Sequence, residues 1–118
     1  MLVGCHYMLE FELCNNTGEP VTILPLDPKS RSKEIHLEIT QSAKLHSEFQ
    51  VRVGHNQHNL RYDFYRIPLE YQRHVGLNTH SVKLQIQPDG TIYLLSPSSQ
   101  MPATNFPPQP PEFPIHAH

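Results

Sequence analysis

The sequence lacks the features that mark several large classes of protein. Among its 118 residues there are no tryptophans, two cysteines and five glycines. It has neither a Gly-x-Ser-x-Gly elbow nor a glycine-rich phosphate loop, so no motif indicates a serine nucleophile or a nucleotide site. No apolar run approaches the ~20 residues that span a bilayer. We therefore expect a protein without a transmembrane segment and without a cofactor, and one that is not an enzyme.

The charge balance argues against nucleic acid as the partner. Lysine and arginine together number 9 against 11 acidic residues, which gives a formal charge of −2 at pH 7. Proteins that bind nucleic acid neutralise phosphates with an excess of cations. The stretch 61–74 interleaves aromatic and cationic residues, as single-strand binders do, but alternation buries two of its rings. We expect no nucleic-acid binding.

Short runs of alternating apolar and polar residues recur about every dozen residues between positions 7 and 95. Alternation of this kind places one set of side chains on a buried face and the other in water, and it predicts β-strands. We predict strands at about residues 6–13, 21–24, 33–40, 48–53, 60–65, 82–87 and 91–95. Ile67–Tyr71 fits either an edge segment or a single helical turn.

About seven short strands without a convincing helix or an internal repeat indicate an all-β fold. We predict a small antiparallel β-sandwich of immunoglobulin-like type over residues 1–96, with a small closed β-barrel as the alternative. The Cys…Trp…Cys signature of antibody domains is missing. Residues 97–118 are rich in proline, above all from Phe106 to Pro114, and predict a tail that is extended or disordered.

Two segments carry strong turn chemistry. The stretch from Asn15 to Pro20 should join the first two strands as a hairpin. Pro88-Asp89-Gly90 should form a tight turn between the last two strands, because its glycine is free to adopt a positive φ. Asn15-Asn16-Thr17 also matches the N-glycosylation pattern, which matters only in a secretory eukaryotic context.

The function we expect is the binding of another protein. Tyrosine and arginine are enriched at protein interfaces, and both are concentrated between positions 61 and 74. The tail adds overlapping Pro-x-x-Pro pairs and two phenylalanines. Phe106, Phe113 and Ile115 could instead anchor the tail on its own sandwich or on a neighbouring molecule. The candidate partner-binding residues are Arg61, Tyr65, Arg66, Tyr71, Arg73, Phe106 and Phe113. An unpaired edge strand would also allow a homodimer.

The alternative function is a metal-binding module built on His55 and His58. Two histidines three positions apart in a tight loop can point the same way, and neutral imidazole is a ligand for Zn, Cu or Ni. Further ligands would have to come from His74, His80 or Asp63. The other interpretation of the same residues is a solvated polar loop.

Outward-facing polar residues on several predicted strands suggest one solvated surface stabilised by cross-strand pairs. Glu10 and Glu12 lie on the same face of the first strand and could also suggest general acid/base chemistry. The members of this predicted surface are Glu10, Glu12, His36, Glu38, Gln50, Arg52, Lys83 and Gln85.

Residues Leu2-Val3-Gly4-Cys5 resemble the lipobox of bacterial lipoproteins. The resemblance implies lipidation of Cys5 and a place in the bacterial cell envelope, provided that Met1 lies inside a longer signal peptide. If Met1 is the true start, the sequence indicates a cytoplasmic protein. Cys5 and Cys14 should lie roughly 30 Å apart on one strand, too far for a disulfide.

Overall fold

The computed structural model describes residues 8–26 and 34–118. These residues form eight strands and one short 3-10 turn. The strands are β1 Met8–Asn15, β2 Val21–Pro25, β3 Ile35–Leu37, β4 Ser42–Leu45, β5 Phe49–Val53, β6 Gln72–Gly76, β7 Thr79–Ile86 and β8 Ile92–Leu94. The 3-10 turn, Leu69–Tyr71, leads directly into β6.

The strands form two sheets that pack face to face. The large sheet has the order β4-β1-β7-β6, and β8 also pairs with β7; the small sheet has the order β3-β2-β5. Because β1 pairs with β7 along its whole length, β6 and β8 share the opposite edge of β7. The predicted all-β, two-sheet architecture is confirmed, and the part of the chain that the structure describes forms no closed barrel.

One strand pair in the large sheet is parallel. β1 runs parallel to β7 from Met8 opposite Thr79 to Asn15 opposite Ile86. The other pairs are antiparallel. Alternating hydrophobicity specifies which side of a strand is buried, whereas it contains no information on the direction of the neighbouring strand.

The core lies between the inner faces of the two sheets. Side chains alternate as predicted along β1, where Phe11 and Leu13 are buried and Glu10 and Glu12 lie on the other face. Four rings meet at the centre, with centroids 4.9 to 6.5 Å apart in the pairs that touch. They are Phe11, Phe49, Tyr62 and Phe64. Aromatic pairs in such tilted and edge-on arrangements add to the stability that burial provides.

Several predicted elements differ from the structure. The stretch 60–65 is not a strand, since only Leu60 forms a bridge, to Val51 of β5. Its alternation arises because Tyr62 and Phe64 pack on the core from an irregular segment. β6 was not predicted, because most of its side chains are exposed and show no alternation. β4, four residues long, was also missed. For Ile67–Tyr71, the single helical turn is the correct alternative.

The predicted hairpin between the first two strands is wrong. β1 belongs to the large sheet and β2 to the small sheet, so the turn after Asn15 carries the chain from one sheet to the other. The buried side-chain amide of Asn15 holds this crossing. Its Nδ2 donates to the carbonyls of Glu19 at 2.8 Å and of Glu38 at 3.1 Å, and its Oδ1 accepts from the Thr17 hydroxyl at 2.7 Å.

The turn between β7 and β8 agrees with the prediction. Gly90 has φ +87°, and its N–H donates to the carbonyl of Gln87 at 2.8 Å. Asp89 accepts from the backbone N–H of Thr91 at 3.0 Å. That hydrogen bond is the main cause that holds the pKa of Asp89 below its ordinary value.

The proline-rich segment 97–118 packs against the large sheet. Ile92 and Ile115 exchange two backbone hydrogen bonds, of 2.9 and 3.0 Å, and Ile115 is part of the core. The side-chain amide of Gln109 binds both backbone groups of Leu94, at 3.0 and 2.8 Å. The described segment thus lies on the surface of the sheet and includes turns at 97–98 and 111–112. The extended or disordered character of the tail and the domain boundary at residue 96 stay predictions.

The predicted solvated surface requires a correction. Its described members divide between the outer faces of two different sheets: Glu12 and Lys83 belong to the large sheet, and Gln50 and Arg52 to the small one. Gln85 is fully buried, because the tail lies over it. Its side-chain amide exchanges hydrogen bonds of 2.7 and 3.0 Å with the backbone of Ala103.

Candidate functional site

A groove of about 630 Å³ lies between two segments that are far apart in sequence. One wall comes from residues 65–69 and the other from residues 110–112 of the tail. The sequence had indicated both regions as partner-binding, on separate grounds, and the fold brings them together. The lining residues are Tyr65, Arg66, Ile67, Pro68, Leu69, Pro110, Pro111 and Glu112.

The first wall is positioned by a buried residue and a short turn. Ile67 is 6% exposed and belongs to the core, and its carbonyl accepts from Nε2 of Gln72 at 2.9 Å. The 3-10 turn closes with a 3.1 Å hydrogen bond from the N–H of Tyr71 to the carbonyl of Pro68. Anchored in this way, the wall presents Tyr65 and Leu69 to solvent, 42% and 66% exposed.

The second wall is held against the first by the tail. The hydroxyl of Tyr71 donates to the carbonyl of Pro108 at 2.6 Å, which ties the tail to the 3-10 turn. The N–H of Phe113 donates to the carbonyl of Pro110 at 3.0 Å, so a turn encloses Pro111 and Glu112. Proline rings are rigid, and this wall therefore loses little conformational freedom when a ligand binds.

The charged groups of the groove are Arg66 and Glu112. Within the described part of the chain neither belongs to an ion pair. Tyr65 and Glu112 also line a smaller adjoining cavity of about 200 Å³, to which Asp63 contributes a second carboxylate. His116 also lines that cavity, and Asp63 lies 3.4 Å from His118. Among the described residues, Glu112 is therefore the carboxylate without an ion-pair partner at this acidic end of the groove. Glu112 has φ +74°, a left-handed conformation that is unfavourable for a residue with a Cβ.

The structure separates the remaining predicted partner-binding residues from this groove. Phe106 stacks on Tyr93, with centroids 4.2 Å apart and planes 9° apart. Phe113 packs against the core. Both phenylalanines therefore attach the tail to the sandwich. Arg61 and Arg73 line two other clefts.

Two lining groups were missed by the sequence analysis as site residues. Leu69 is a large apolar residue directly after a proline, in a segment without alternating hydrophobicity. That combination was the sequence signal that could have indicated an exposed apolar side chain. Pro110 and Pro111 were noted only as parts of Pro-x-x-Pro pairs that a partner could recognise. Their place in a wall depends on where the tail docks, and no local pattern specifies that.

A second cleft, of about 620 Å³, lies on the outer face of the large sheet and carries mixed charge. The strand register puts Glu12 opposite both Lys44 and Lys83. Lys44 lies 3.9 Å from Glu10, and Lys83 donates to the carbonyl of Ser99 at 2.7 Å. These alternating charges form a cross-strand ladder of the kind that stabilises a sheet. Arg73 borders this ladder on the β6 side.

The histidines of the metal alternative line different clefts. His55 borders a cleft with Glu19 and Asp89, whereas His58 borders one with Arg61 and His118. Within residues 8–26 and 34–118, no group of three histidine, cysteine or acidic side chains is placed to hold a metal ion. His118 instead lies 3.4 Å from Asp63. The arrangement gives the metal-binding alternative no geometric support.

Among the described residues, Cys14 adds no reactive site. Cys5, with the lipobox-like stretch, lies outside the described residues. Cys14 is buried and free, and its Sγ lies 3.8 Å from the carbonyl of Thr40. Burial, with a smaller contribution from Glu12, raises the pKa of this thiol. A buried thiol that resists ionisation is a weak nucleophile, so Cys14 is a packing residue.

The side-chain amide of Asn15 is not available as a glycosylation site in the folded protein. The residue is fully buried. Its Nδ2, the atom that a glycan would modify, donates to backbone carbonyls at the crossing between the sheets. A glycan at this atom would break those bonds and would have no space.

Comparison of the chain with protein-family models, with curated proteins and with solved structures found no match. In the part of the chain that the structure describes, no helix has the length and apolar character needed to cross a membrane.

Proposed function

We propose that this chain is a non-enzymatic binding module that holds a partner protein in the groove between residues 65–69 and 110–112. The observation that carries the proposal is the exposure of large apolar side chains, Leu69 and Tyr65, on a wall that is anchored in the core at Ile67. An exposed apolar group on a rigid support gains free energy from burial and loses little entropy in doing so.

Protein contact suits this groove better than catalysis. Its lining consists of tyrosine, isoleucine, leucine and prolines, with one arginine and one glutamate. They include no histidine, cysteine or serine, and Glu112 is the one carboxylate among them, so the lining offers no pair of a nucleophile and an adjacent base of the usual kind. Tyrosine and arginine beside well-packed apolar residues are the usual composition of interface hot spots.

The proposal can be tested by photo-crosslinking in cells of the source organism. Benzoylphenylalanine at position 69 should capture one partner protein. The matched control carries the same group at position 39, since Ile39 is an apolar residue of similar type, 48% exposed, outside the groove. Capture of the same protein from both positions, or from neither, would contradict the proposed site.

The purified partner then allows a quantitative test. Leu69→Ala should weaken binding by about tenfold or more, equivalent to roughly 1.4 kcal/mol, because it removes apolar surface that the partner would bury. Ile39→Ala should leave the affinity within about twofold of the unaltered protein. Isothermal calorimetry measures both. Equal losses of affinity from the two substitutions would contradict the proposal that the groove binds the partner.

A further inference from the structure

We infer that the groove receives an extended, proline-rich segment whose basic residue lies against Glu112. This inference depends on the proposed function and specifies the kind of partner that the same groove binds.

The backbone of the groove is unsuited to strand addition. Residues 61–68 belong to no strand, and the carbonyls of Ile67 and Pro68 already accept hydrogen bonds from Gln72 and Tyr71. A partner that added a strand would need a row of open donors and acceptors. A polyproline II segment needs few, because proline has no N–H and the polyproline II helix makes no internal hydrogen bonds.

The walls match the surface of such a segment. Proline-rich ligands dock in grooves that present aromatic side chains. Here Tyr65 stands on one wall beside Pro68, and Pro110 and Pro111 form the other. Both partners are stiff before they meet, so little conformational entropy is lost when they associate.

The charges give the bound segment a direction. Glu112 and Asp63 lie at one end of the groove, where its lining continues into the smaller cavity. Glu112 has no ion-pair partner among the described residues. An arginine on the incoming segment would supply one, with planar geometry suited to a carboxylate. The left-handed backbone of Glu112 is the kind of local strain that concentrates at functional positions.

A second copy of this chain is a poor occupant. Residues 97–118 contain prolines but neither lysine nor arginine. The tail of a second copy would therefore bring no cation to the acidic end, and its own Glu112 would be repelled there. The one proline of this chain directly beside a lysine or arginine is Pro28, which precedes Lys29, and Asp27 on its other side would be repelled by Glu112. The favoured partner is therefore a different protein with a basic residue next to its prolines.

The test uses the full chain, isotope-labelled for NMR, and three synthetic peptides of equal length. The first is proline-rich and ends in arginine, the second ends in glutamate instead, and the third keeps the arginine but has alanine in place of proline. The first peptide should shift the amide resonances of Tyr65, Leu69 and Glu112. The other two should bind roughly tenfold or more weakly, because each lacks one half of the recognised chemistry.

Reversing the charge at position 112 of the protein tests the same peptide preference. Glu112→Lys should reverse the preference, so that the glutamate peptide binds more tightly than the arginine peptide. Glu112→Gly should remove the preference without reversing it, in a backbone conformation that glycine adopts readily. The amide spectrum of each variant reports whether it is folded.

The outcomes separate this inference from the proposed function. Binding that ignores the terminal charge, or a preference that Glu112→Lys does not reverse, contradicts the inferred polarity. If no proline-rich peptide binds while benzoylphenylalanine at position 69 still captures a protein partner, the inference fails and the proposed function survives. If no peptide binds and no protein is captured, the inference and the proposed function are both wrong.

Discussion

The tail meets the sandwich in two different ways. From Ser99 to Gln109 it covers outward-facing side chains of the large sheet, and its polar groups bind β7 and β8 through Lys83, Gln85 and Leu94. At residues 110–112 it stands beside the 3-10 turn and leaves an open apolar groove. In the first contact the polar groups are hydrogen-bonded to the sheet, and the contact contributes stability. The second contact leaves apolar surface that only a partner can bury.

The same contrast occurs within the segment 61–66. Tyr62 is 7% exposed and its hydroxyl donates to the carbonyl of Gly90 at 2.6 Å. Tyr65, three positions later, is 42% exposed on the wall of the groove. The two tyrosines of this irregular segment thus have different roles. Substitution of Tyr62 should affect stability, and substitution of Tyr65 should affect binding.

The largest effect on stability should come from removing the tail's anchor. Ile115→Ala deletes a core side chain that is 3% exposed, and should lower the free energy of unfolding by about 3 kcal/mol. Urea denaturation followed by circular dichroism measures the change. Leu69→Ala serves as the control and should stay within about 0.5 kcal/mol, because its side chain is largely in water. A similar loss of unfolding free energy in both variants would mean that the packed tail and the open groove do not differ in their contribution to stability.

The second-largest effect on stability should come from the hydrogen-bonded contact between the tail and β7. Gln85→Leu leaves the N–H and carbonyl of Ala103 without partners, and should cost about 2 kcal/mol. The exposed Gln57 provides the matched control, since Gln57→Leu breaks no buried hydrogen bond. Equal unfolding midpoints for the two variants would show that the tail does not depend on Gln85.

A smaller effect, with a distinctive pH dependence, should follow from Tyr62→Phe. Loss of the hydrogen bond to Gly90 should cost about 1 kcal/mol at neutral pH. Burial, and secondly the charge of Asp89, raise the pKa of Tyr62. Because the folded-state pKa lies above that of the unfolded chain, the contribution is complete below about pH 10 and declines as pH rises further.

The pH dependence can be measured as the midpoint of urea unfolding between neutral and strongly alkaline pH. The unaltered protein should lose stability above about pH 10, and Tyr62→Phe should lose less over the same range. Tyr65→Phe should behave like the unaltered protein, because its hydroxyl lies on the exposed wall. An alkaline loss that is identical in all three proteins would contradict the assignment to Tyr62.

The smallest effect on stability should come from Glu112→Gly. Relief of the left-handed conformation and the greater freedom of glycine in the unfolded chain oppose each other, so stability should change by less than about 1 kcal/mol. Binding of an arginine-containing ligand should nevertheless weaken. Thermal unfolding and calorimetry on the same sample distinguish the two readouts. A large loss of stability would make Glu112 a structural residue.

Local features of the sequence predicted much of the fold. The burial of Phe11 and Leu13 follows from alternation, and the turn at Gly90 follows from Pro88-Asp89-Gly90, because both depend on neighbouring residues only. The crossing at Asn15 was read as a hairpin, since turn residues specify a reversal without specifying which strands pair. The parallel pairing of β1 with β7 and the burial of Gln85 depend on contacts between distant segments, and no local pattern contains them.

The candidate site could be predicted only in halves. Tyr65 and Arg66 were selected for their residue types, and the prolines of the tail for their spacing. Their meeting in one groove requires Ile115 to dock beside Ile92 and Tyr71 to bind Pro108, and both contacts are products of the tertiary fold. The sequence allowed Phe106 and Phe113 to anchor the tail or to contact a partner, and only the fold shows them packed on the sandwich.

Amide hydrogen exchange of the full chain, with and without its captured partner, shows which surface the partner covers. Exchange should be slower in the partner's presence at Tyr65, Leu69 and Glu112, with no change along β6. Protection along Gln72–Gly76, with none at the groove, would contradict the proposed site and would assign binding to the open edge of the large sheet.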